Sequence, residues 1–417
     1  MVDHYRNGAT PAQAEPEPFY RWVIVGTTAI MLAIGVGLIV NGISVFIIPL
    51  NAEFGWARGS VSFINFTGVI GMALGGVVMG RVADRVSIRW ISLFGVIVMG
   101  LCLLASAQAD QLWQFYLLFF IAGFLGAGSL FAPLVANVGN WFRTHIGFAL
   151  GLTSAGQALG QGGVPYISAI LIGTVGWRDA LSALGIIMLV TLIPLALLTR
   201  QPPRKVTAAT SEPATDDGAP VPLSPNAVVI WMSAAVLFCC TCMSVPLIHL
   251  VPLIQDRGIA LNEAASVLLV MLIAGVVGRI AFGRLADVIG PIRAYWTASC
   301  WQTLLVFVFI QIESLDAFYL FAVVYGFGYA GVMTGIIVCM RVLIPVSRRA
   351  SALGIVTMFA WLGHGLGGCQ GGLFFDLTGN YTLSYANAAL SGVLNLIIVG
   401  SLYIAASRRR TAPAVTG

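Results

Sequence analysis

Apolar residues form long runs along nearly the whole chain, separated by short stretches of charged and turn-forming residues. A helix needs roughly 20 predominantly apolar residues to cross a bilayer, and each of these runs is long enough. The runs are continuous and do not alternate with period two, so they favour helices over strands. The pattern predicts twelve transmembrane helices, over 22–50, 57–82, 88–108, 111–139, 146–172, 177–199, 225–255, 262–287, 291–311, 316–344, 350–377 and 382–406.

The composition excludes whole classes of protein. Of 417 residues, 59% are hydrophobic and 9% are charged, whereas soluble domains are roughly 25% charged. A water-soluble globule, a nucleic-acid binder and a barrel built of short alternating strands are therefore excluded. The expected fold class is an all-α, multi-pass membrane protein whose surroundings are the lipid bilayer, in the plasma membrane or, in a bacterium, the inner membrane.

One polar stretch, 200–224, divides the chain into two sets of six spans. Its composition is typical of a disordered linker. The first apolar run is too long for a signal-peptide core, so it is expected to remain as a membrane helix. The predicted organisation is a tail (1–21), an N-terminal six-helix bundle (22–199), the linker (200–224), a C-terminal six-helix bundle (225–406) and a second tail (407–417).

The basic residues predict the orientation in the membrane, because positively charged loops stay in the cytoplasm. Seventeen of the 21 Lys and Arg residues fall on the side that carries both termini and the linker. Only Arg58, Arg178 and Arg257 fall on the opposite side, and Arg279 lies within a span. Both termini and the linker are therefore predicted to be cytoplasmic.

The two halves repeat each other at a constant offset of 203 residues. Pro49 corresponds to Pro252 and Glu53 to Asp256, while the segment GRVAD at 80–84 corresponds to GRLAD at 283–287. One offset that serves several separate loops indicates two homologous bundles. Parallel repeats of this kind place the substrate between the halves, near the middle of the bilayer.

The segments GRVADRVSIR at 80–89 and GRLADVIGPIR at 283–293 resemble a loop motif of the major facilitator superfamily of transporters. The resemblance extends over all twelve spans. It implies two six-helix bundles that alternate access to a central site, with the motif latching the cytoplasmic gate. The gating residues implied by this resemblance are Gly80, Arg81, Asp84, Gly283, Arg284 and Asp287.

Within that superfamily the chain is most similar to monocarboxylate transporters and oxalate:formate antiporters. The segments EFGWARGSVS at 53–62, NWFRTHIGFALGLTSAG at 140–156 and GGLFFDLTGNY at 371–381 carry this resemblance. It implies a secondary active transporter of small organic monoanions, such as lactate-like acids, which we expect to be proton-coupled and monomeric. No enzymatic activity, cofactor or metal is expected.

Arg279 is the strongest candidate for binding an anion. It lies eight residues before Asp287, about 12 Å from the end of its helix at 1.5 Å per residue. A central Arg costs about 3 kcal/mol to insert, and no Asp or Glu is predicted within the spans to neutralise it. Its planar fork matches a carboxylate. Monocarboxylate transporters carry a substrate-binding Arg at this place in helix 8, and the resemblance implies the same role for Arg279.

Two histidines and several neutral polar residues complete the candidate site. His249 and His364 lie within spans and are candidates for carrying a proton, although either could equally be a neutral buried residue. Neutral groups could donate further hydrogen bonds to an anion, although each could instead serve helix packing. These candidates are Tyr325, Tyr329, Asn41, Ser44, Tyr116 and Gln157.

The chain also departs from the relatives that it resembles. Proton-linked relatives carry a Lys near the position of Asn41 and an Asp at that of Gly275, and oxalate exchangers carry a second basic residue near Ala360. Their absence makes His249 the substitute candidate for proton coupling, and a single buried Arg suits a single carboxylate. Two other transport functions remain as alternatives. One is a dicarboxylate exchanger with His364 as the second cation, and the other is a proton-coupled drug exporter, suggested by GQALGQGGVP at 156–165.

Two further classes can be weighed from the sequence. A sensor would need an added soluble signalling domain, and an enzyme would need a catalytic constellation. The sequence shows neither. The seven cysteines all fall in apolar runs, where thiols behave as small hydrophobic groups, so no disulfide framework or metal site is predicted.

Overall fold

The computed structural model describes residues 19–83, 85–142, 146–202 and 223–410, so Asp84, most of both predicted tails and most of the linker lie outside the described residues. Within these ranges the chain forms fourteen α-helices: α1 (Tyr20–Asn41), α2 (Ile47–Phe54), α3 (Arg58–Ala83), α4 (Ile88–Ser106), α5 (Leu112–Ile121), α6 (Gly128–Trp141), α7 (Ile146–Val175), α8 (Trp177–Leu198), α9 (Pro225–Gln255), α10 (Leu261–Ile289), α11 (Pro291–Val306), α12 (Leu315–Leu343), α13 (Val346–Thr378) and α14 (Thr382–Arg410).

Eleven segments of the described chain are long and apolar enough to cross a membrane. The ninth predicted span, 291–311, is divided between the 16-residue helix α11 and a 3-10 helix over Phe307–Gln311. The tighter 3-10 winding ends the regular α-helix before it reaches spanning length. The first predicted span also changes its winding, because α1 ends at Asn41 and a 3-10 helix over Gly42–Val45 precedes α2.

Local sequence explains several helix ends. The Ser224 hydroxyl accepts a hydrogen bond from the Ala227 N–H at the start of α9, where Pro225 occupies the first turn. This is a favourable N-terminal arrangement, because proline lacks the N–H that would otherwise have no partner. Gly55 ends α2 with a left-handed φ of 69°, and its repeat counterpart Gly258 has a φ of 81°. Both turns use the positive φ that glycine adopts without strain.

The internal repeat is visible in the packing of the helices. In the first half, Gly75 of α3 lies directly against the carbonyl of Phe124, with no room for a Cβ atom. In the second half, Gly278 of α10 lies in the same way against the carbonyl of Phe327. The offset of 203 relates Gly75 to Gly278 and Phe124 to Phe327. The two bundles therefore repeat this close helix contact, which small residues allow within a membrane.

The two bundles meet along two seams. One seam joins α3 to α13, and the other joins α7 to α10. Within the first bundle, α7 packs tightly on α1, with Gly156 against Ala29 and Gly160 against Ala33. The four-residue spacing of both pairs keeps the contact on one face of each helix. Helix α1 thereby fixes the helix that forms one side of the α7–α10 seam.

The contact between α7 and α1 predicts a difference between two glycines on one helix. A Cβ at Gly160 would collide with the backbone of Ala33, whereas a Cβ at Gly163 would meet nothing within 4 Å. Overpacking costs about 1–3 kcal/mol, so Gly160→Ala should lower the melting temperature of the purified protein. Gly163→Ala is the matched control and should not lower it. Equal melting temperatures for the two variants would contradict this description of the contact.

Candidate functional site

The seam between α7 and α10 holds the predicted anion-binding arginine. Nη1 of Arg279 in α10 reaches the backbone oxygen of Ser154 in α7, at 3.5 Å. Seven residues further along α7, the backbone oxygen of Gln161 accepts a hydrogen bond from Nδ2 of Asn41, at 3.1 Å. Positions seven apart share one helix face, about 10 Å apart along the axis. One face of α7 therefore connects Arg279 with the end of α1.

Arg279 is held by few protein groups. It is partly buried, and its Nε is buried without a hydrogen-bond partner in the described chain. None of the ion pairs found among the described residues includes it. A guanidinium has five N–H donors, so most of its hydrogen-bonding capacity is available to an acceptor from outside the protein.

Tyr325 and Tyr329 form a stacked pair on α12, with ring centroids 5.6 Å apart and ring planes 10° apart. Tyr329 lies within electrostatic range of Arg279, and Tyr325 is fully buried with a hydroxyl that has no partner in the described chain. Phe309 packs against Tyr325 at 5.0 Å between centroids. The pair thus lies in the same bundle as Arg279, and the Tyr325 hydroxyl has no partner in the described chain.

The other neutral candidates lie in different places. Gln157 is partly buried and lies one turn after Ser154 on α7, near the level of Arg279. The Ser44 hydroxyl donates to the backbone oxygen of Asn41, at 2.7 Å, within the break that follows α1. Tyr116 donates to the backbone oxygen of Ser60, at 3.0 Å, within the N-terminal bundle. Gln157 thus lies on the helix that contacts Arg279, whereas the Ser44 and Tyr116 hydroxyls have partners inside the protein.

His249 of α9 contacts the middle of α13 and the residue that precedes α14. Its Nε2 lies 2.7 Å from the backbone oxygen of Gly368, and its Nδ1 lies 3.3 Å from the Tyr381 hydroxyl. A carbonyl oxygen can only accept, so Nε2 carries a hydrogen and Nδ1 accepts from Tyr381. The ring is fully buried. Both ring nitrogens therefore have partners in this conformation.

His364 and Asn65 lie at the junction of α1, α3 and α13. His364 is 2% exposed, and its ring faces the Val40 carbonyl without hydrogen-bond geometry, so neither ring nitrogen has a partner in the described chain. Nδ2 of Asn65 donates to the backbone oxygens of Ile39 and Val40, at 2.9 and 2.7 Å, while its Oδ1 has no partner there. The sequence analysis missed Asn65, although an amide within the apolar run of α3 was the available signal.

A group of residues joins the two bundles at the end that bears Arg58, Arg178 and Arg257. We call it the outer lock, after the orientation predicted from the sequence, and it consists of Arg58, Asp256 and Asp376. Arg58 of α3 makes a two-pronged ion pair with Asp256 of the other bundle, with both contacts at 2.7 Å. Nη1 of Arg58 also donates to the Tyr381 hydroxyl, at 3.2 Å. The Arg58 side chain is only 12% exposed. Screening by water is therefore reduced, and the pair is stronger than an exposed one.

Asp376 adds a second connection at the same end. Its two carboxylate oxygens accept hydrogen bonds from the backbone N–H groups of Arg58 and Gly59, at 2.9 and 2.7 Å. These are the first residues of α3, whose N–H groups have no partner within the helix. The N-terminus of α3 is thus capped by a carboxylate from α13 in the opposite bundle. Separation of the bundles at this end would remove the cap.

The predicted gating motif lies at the opposite end. Arg81, Arg284 and Asp287 are exposed, while Gly80 and Gly283 are partly buried. In the part of the chain that the structure describes, no ion pair joins the two bundles at this end. The ion pair between Arg58 and Asp256 links the bundles at the other end, in the outer lock.

Two repeated helical bundles that meet along seams within a membrane are typical of secondary transporters. A family model described as the Major Facilitator Superfamily matches residues 29–312 and 246–416. The chain belongs to this family. It is therefore an integral, multi-pass membrane transporter and not an enzyme, as the sequence predicted.

The relatives agree with the branch suggested by the sequence motifs. The chain is 26% identical to monocarboxylate transporter 13 of Rattus norvegicus, over 91% of this chain and 89% of the relative. It is 22% identical to monocarboxylate transporter 2 of Homo sapiens, over 90% and 84%. It is also 25% identical to MFS-type transporter 1 of Ophiocordyceps sp. (strain BCC 1869), over 86% and 80%.

Solved structures share the fold. A bacterial homologue of the human lysosomal transporter Spinster, in an inward-facing and occupied conformation, matches with a TM-score of 0.72 at 15% identity, over 95% of this chain and 99% of that one. The xylose transporter XylE from E. coli, in a partially occluded inward open conformation, also matches with a TM-score of 0.72 at 15% identity, over 92% and 97%. These matches confirm the expected two-bundle fold.

The geometry of the outer lock predicts that Asp256 controls closure at this end of the bundles. Asp256→Asn removes the charge that pairs with Arg58 across the bundles, and it should shift the population towards states open at that end by about tenfold, or ~1.4 kcal/mol. Distances between spin labels, one on the outer end of each bundle in a cysteine-free background, measure this shift.

Glu53→Gln is the matched control, because Glu53 occupies the equivalent repeat position but pairs with Arg178 inside its own bundle. Its distance distribution should remain that of the parent protein. An unchanged distribution in Asp256→Asn, or an equal change in both variants, would contradict the assigned role of the ion pair.

Proposed function

We propose that the protein transports small organic monoanions, with lactate-like monocarboxylates as the substrate class, by alternating access between the two bundles. Arg279 binds the substrate carboxylate, and neutral groups on α7 and α12 contact the rest of the molecule. The observation that carries the proposal is the position of Arg279, on the α7–α10 seam with a backbone oxygen as its protein partner. Similarity to proteins named monocarboxylate transporters supports the same class.

Electrostatics favours an anionic substrate. A charged arginine within a membrane protein is costly unless a partner offsets its lost hydration. No ion pair in the described chain neutralises Arg279. A carboxylate that enters the seam would accept two parallel hydrogen bonds from the guanidinium, and such charge-assisted pairs are stronger than neutral ones. Substrate binding therefore supplies the missing partner.

We expect a small molecule bound at Arg279 to contact polar groups of α7 and α12. The stretch of α7 between the backbone groups of Ser154 and Gln161 is about 10 Å long, and Gln157 lies between them. On α12, Tyr329 lies within electrostatic range of the arginine. A short monocarboxylate could contact Arg279 through its carboxylate while its hydroxyl or carbonyl group meets a neutral donor. This arrangement is typical of small-molecule sites with few polar groups.

Exchange of dicarboxylates is the second candidate function. It is favoured by His364, which is buried with both ring nitrogens lacking partners in the described chain. If its ring carried a proton, it could supply the second cation that a dianion requires. A dianion beside a neutral His364 would instead leave one desolvated carboxylate without a partner, which is unfavourable. The valence of the preferred substrate separates the two candidates.

Substitution of Arg279 tests the anion site. Arg279→Lys should lower lactate uptake into proteoliposomes by at least about tenfold, because an ammonium cannot reproduce the two-pronged contact. Arg257→Lys is the control, since Arg257 donates to the backbone oxygen of Ile310 within its own bundle, and it should retain uptake. Undiminished uptake by a correctly inserted Arg279→Ala variant would contradict the assignment of Arg279 to the anion site.

The same assay distinguishes the two substrate classes. With one fixed cation, the parent protein should prefer lactate over oxalate. A preference for oxalate of about tenfold or more would establish the dicarboxylate alternative, and it should then be lost in His364→Gln. Loss of oxalate uptake in that variant, with lactate uptake retained, would assign the second carboxylate to His364.

We also propose that His249 couples transport to protons. Its Nδ1 accepts from the Tyr381 hydroxyl, which in turn accepts from Arg58 of the outer lock. A proton on Nδ1 would replace this acceptor with a donor. The Tyr381 hydroxyl would then lose the acceptor of its own hydrogen, and a second positive charge would lie close to Arg58. Protonation of His249 would thus weaken the connection to the lock and favour opening at that end.

Proton coupling predicts that uptake rises when the outside is acidic. Lactate uptake into proteoliposomes at zero membrane potential should be faster at an outside pH of about 5.5 than at about 7.5. His249→Gln can still donate to the Gly368 carbonyl but cannot take up a proton, so it should bind substrate and lose the pH response. A response that persists in His249→Gln would exclude His249 as the proton carrier, and no response in the parent protein would exclude symport.

A further inference from the structure

A groove of about 550 Å³ lies on the outside of the C-terminal bundle, between the beginning of α11 and the end of α14. Its walls are mostly apolar and include Ile289, Ile292 and Ile404. The space beside Gly400 is open, because a Cβ there would meet only Nε1 of Trp296, at 3.9 Å. The groove is mostly apolar, and it lies on the bundle surface, away from the seam that holds Arg279.

The groove has one charged group. Nε of Arg293 donates to the Tyr403 hydroxyl, at 2.9 Å, and Nη2 contacts the same oxygen. The guanidinium also lies 5.2 Å from the centre of the Tyr403 ring. A hydroxyl carries no charge, and none of the ion pairs seen in the described ranges includes Arg293. The cation and its remaining donors therefore lie free beside an apolar groove.

The surroundings indicate a position where a membrane meets water. Trp296, which is 44% exposed, lines the groove, and tryptophan is enriched at the level of lipid headgroups. In the sequence, Arg408, Arg409 and Arg410 follow soon after Tyr403 at the end of the chain predicted to be cytoplasmic. Basic residues next to a membrane surface attract anionic lipids.

We propose that this groove binds an anionic phospholipid, with the phosphate on Arg293 and an acyl chain along the apolar walls. The charge of Arg293 selects a net negative headgroup, and the space above Gly400 accommodates the hydrocarbon. A soluble anion would leave the apolar walls uncovered, whereas a lipid satisfies both parts of the groove. The site is independent of the proposed transport function, because it lies on a different face and its test measures lipid binding.

Native mass spectrometry of the purified full-length protein tests the site, with phosphatidylglycerol and phosphatidylcholine of matched chains as probes. The parent protein should bind phosphatidylglycerol more tightly. Arg293→Gln should weaken that binding by about fivefold, the amount expected for one basic side chain near a lipid surface. Gly400→Leu keeps the charge but fills the groove, so it should weaken the binding of both lipids.

Arg200→Gln is the matched control, because Arg200 also lies over a tyrosine ring, 4.8 Å from that of Tyr20, at the same end of the other bundle. It should bind phosphatidylglycerol like the parent protein. Equal binding of the two lipids by the parent protein, or retained preference in Arg293→Gln, would overturn the proposal. Tight binding of glycerol phosphate alone would also overturn it, since it would assign the site to a soluble anion.

Discussion

Inside a bilayer, each backbone N–H and C=O group must find its partner within the protein, and the rest of this structure depends on that constraint. Helices satisfy it along their length, but their ends and breaks do not. At the break after α1, Asn65 donates to the carbonyls of Ile39 and Val40. At the start of α3, Asp376 accepts from two N–H groups. The polar residues at the bundle interface therefore support the backbone as well as the proposed chemistry.

The outer lock arises from a difference between the two halves of the repeat. Glu53 and Asp256 are equivalent positions, and the offset of 203 relates Arg178 to Tyr381. In the first half, Arg178 neutralises Glu53 within the bundle. In the second half the corresponding residue is an uncharged tyrosine, so Asp256 pairs with Arg58 from the other bundle. Two differences between the halves, Arg178 against Tyr381 and Arg58 against Leu261, thus accompany the change from an internal ion pair to a contact between bundles.

Hydrogen bonds connect His249 with the outer lock, and others connect the α7–α10 seam with the break after α1. Tyr381 contacts both Arg58 and His249, so a change at the histidine reaches the lock through one hydroxyl. Asn41 ties the break in α1 to α7, the helix whose Ser154 oxygen meets Arg279. Substrate at Arg279 and a proton at His249 would therefore act on different seams, and motion of the bundles as rigid bodies would combine their effects.

The sequence by itself determined the fold class, the family and the repeat, because long apolar runs, loop motifs and a constant offset are properties of the chain order. It also identified Arg279 as a charge without an intramembrane acid. Only the tertiary structure decided the partners. Arg58 and Asp256 are 198 residues apart, and Asp376 caps a helix that begins 318 residues earlier. Such contacts depend on how two bundles dock, and no local pattern of hydrophobic and polar residues encodes that geometry.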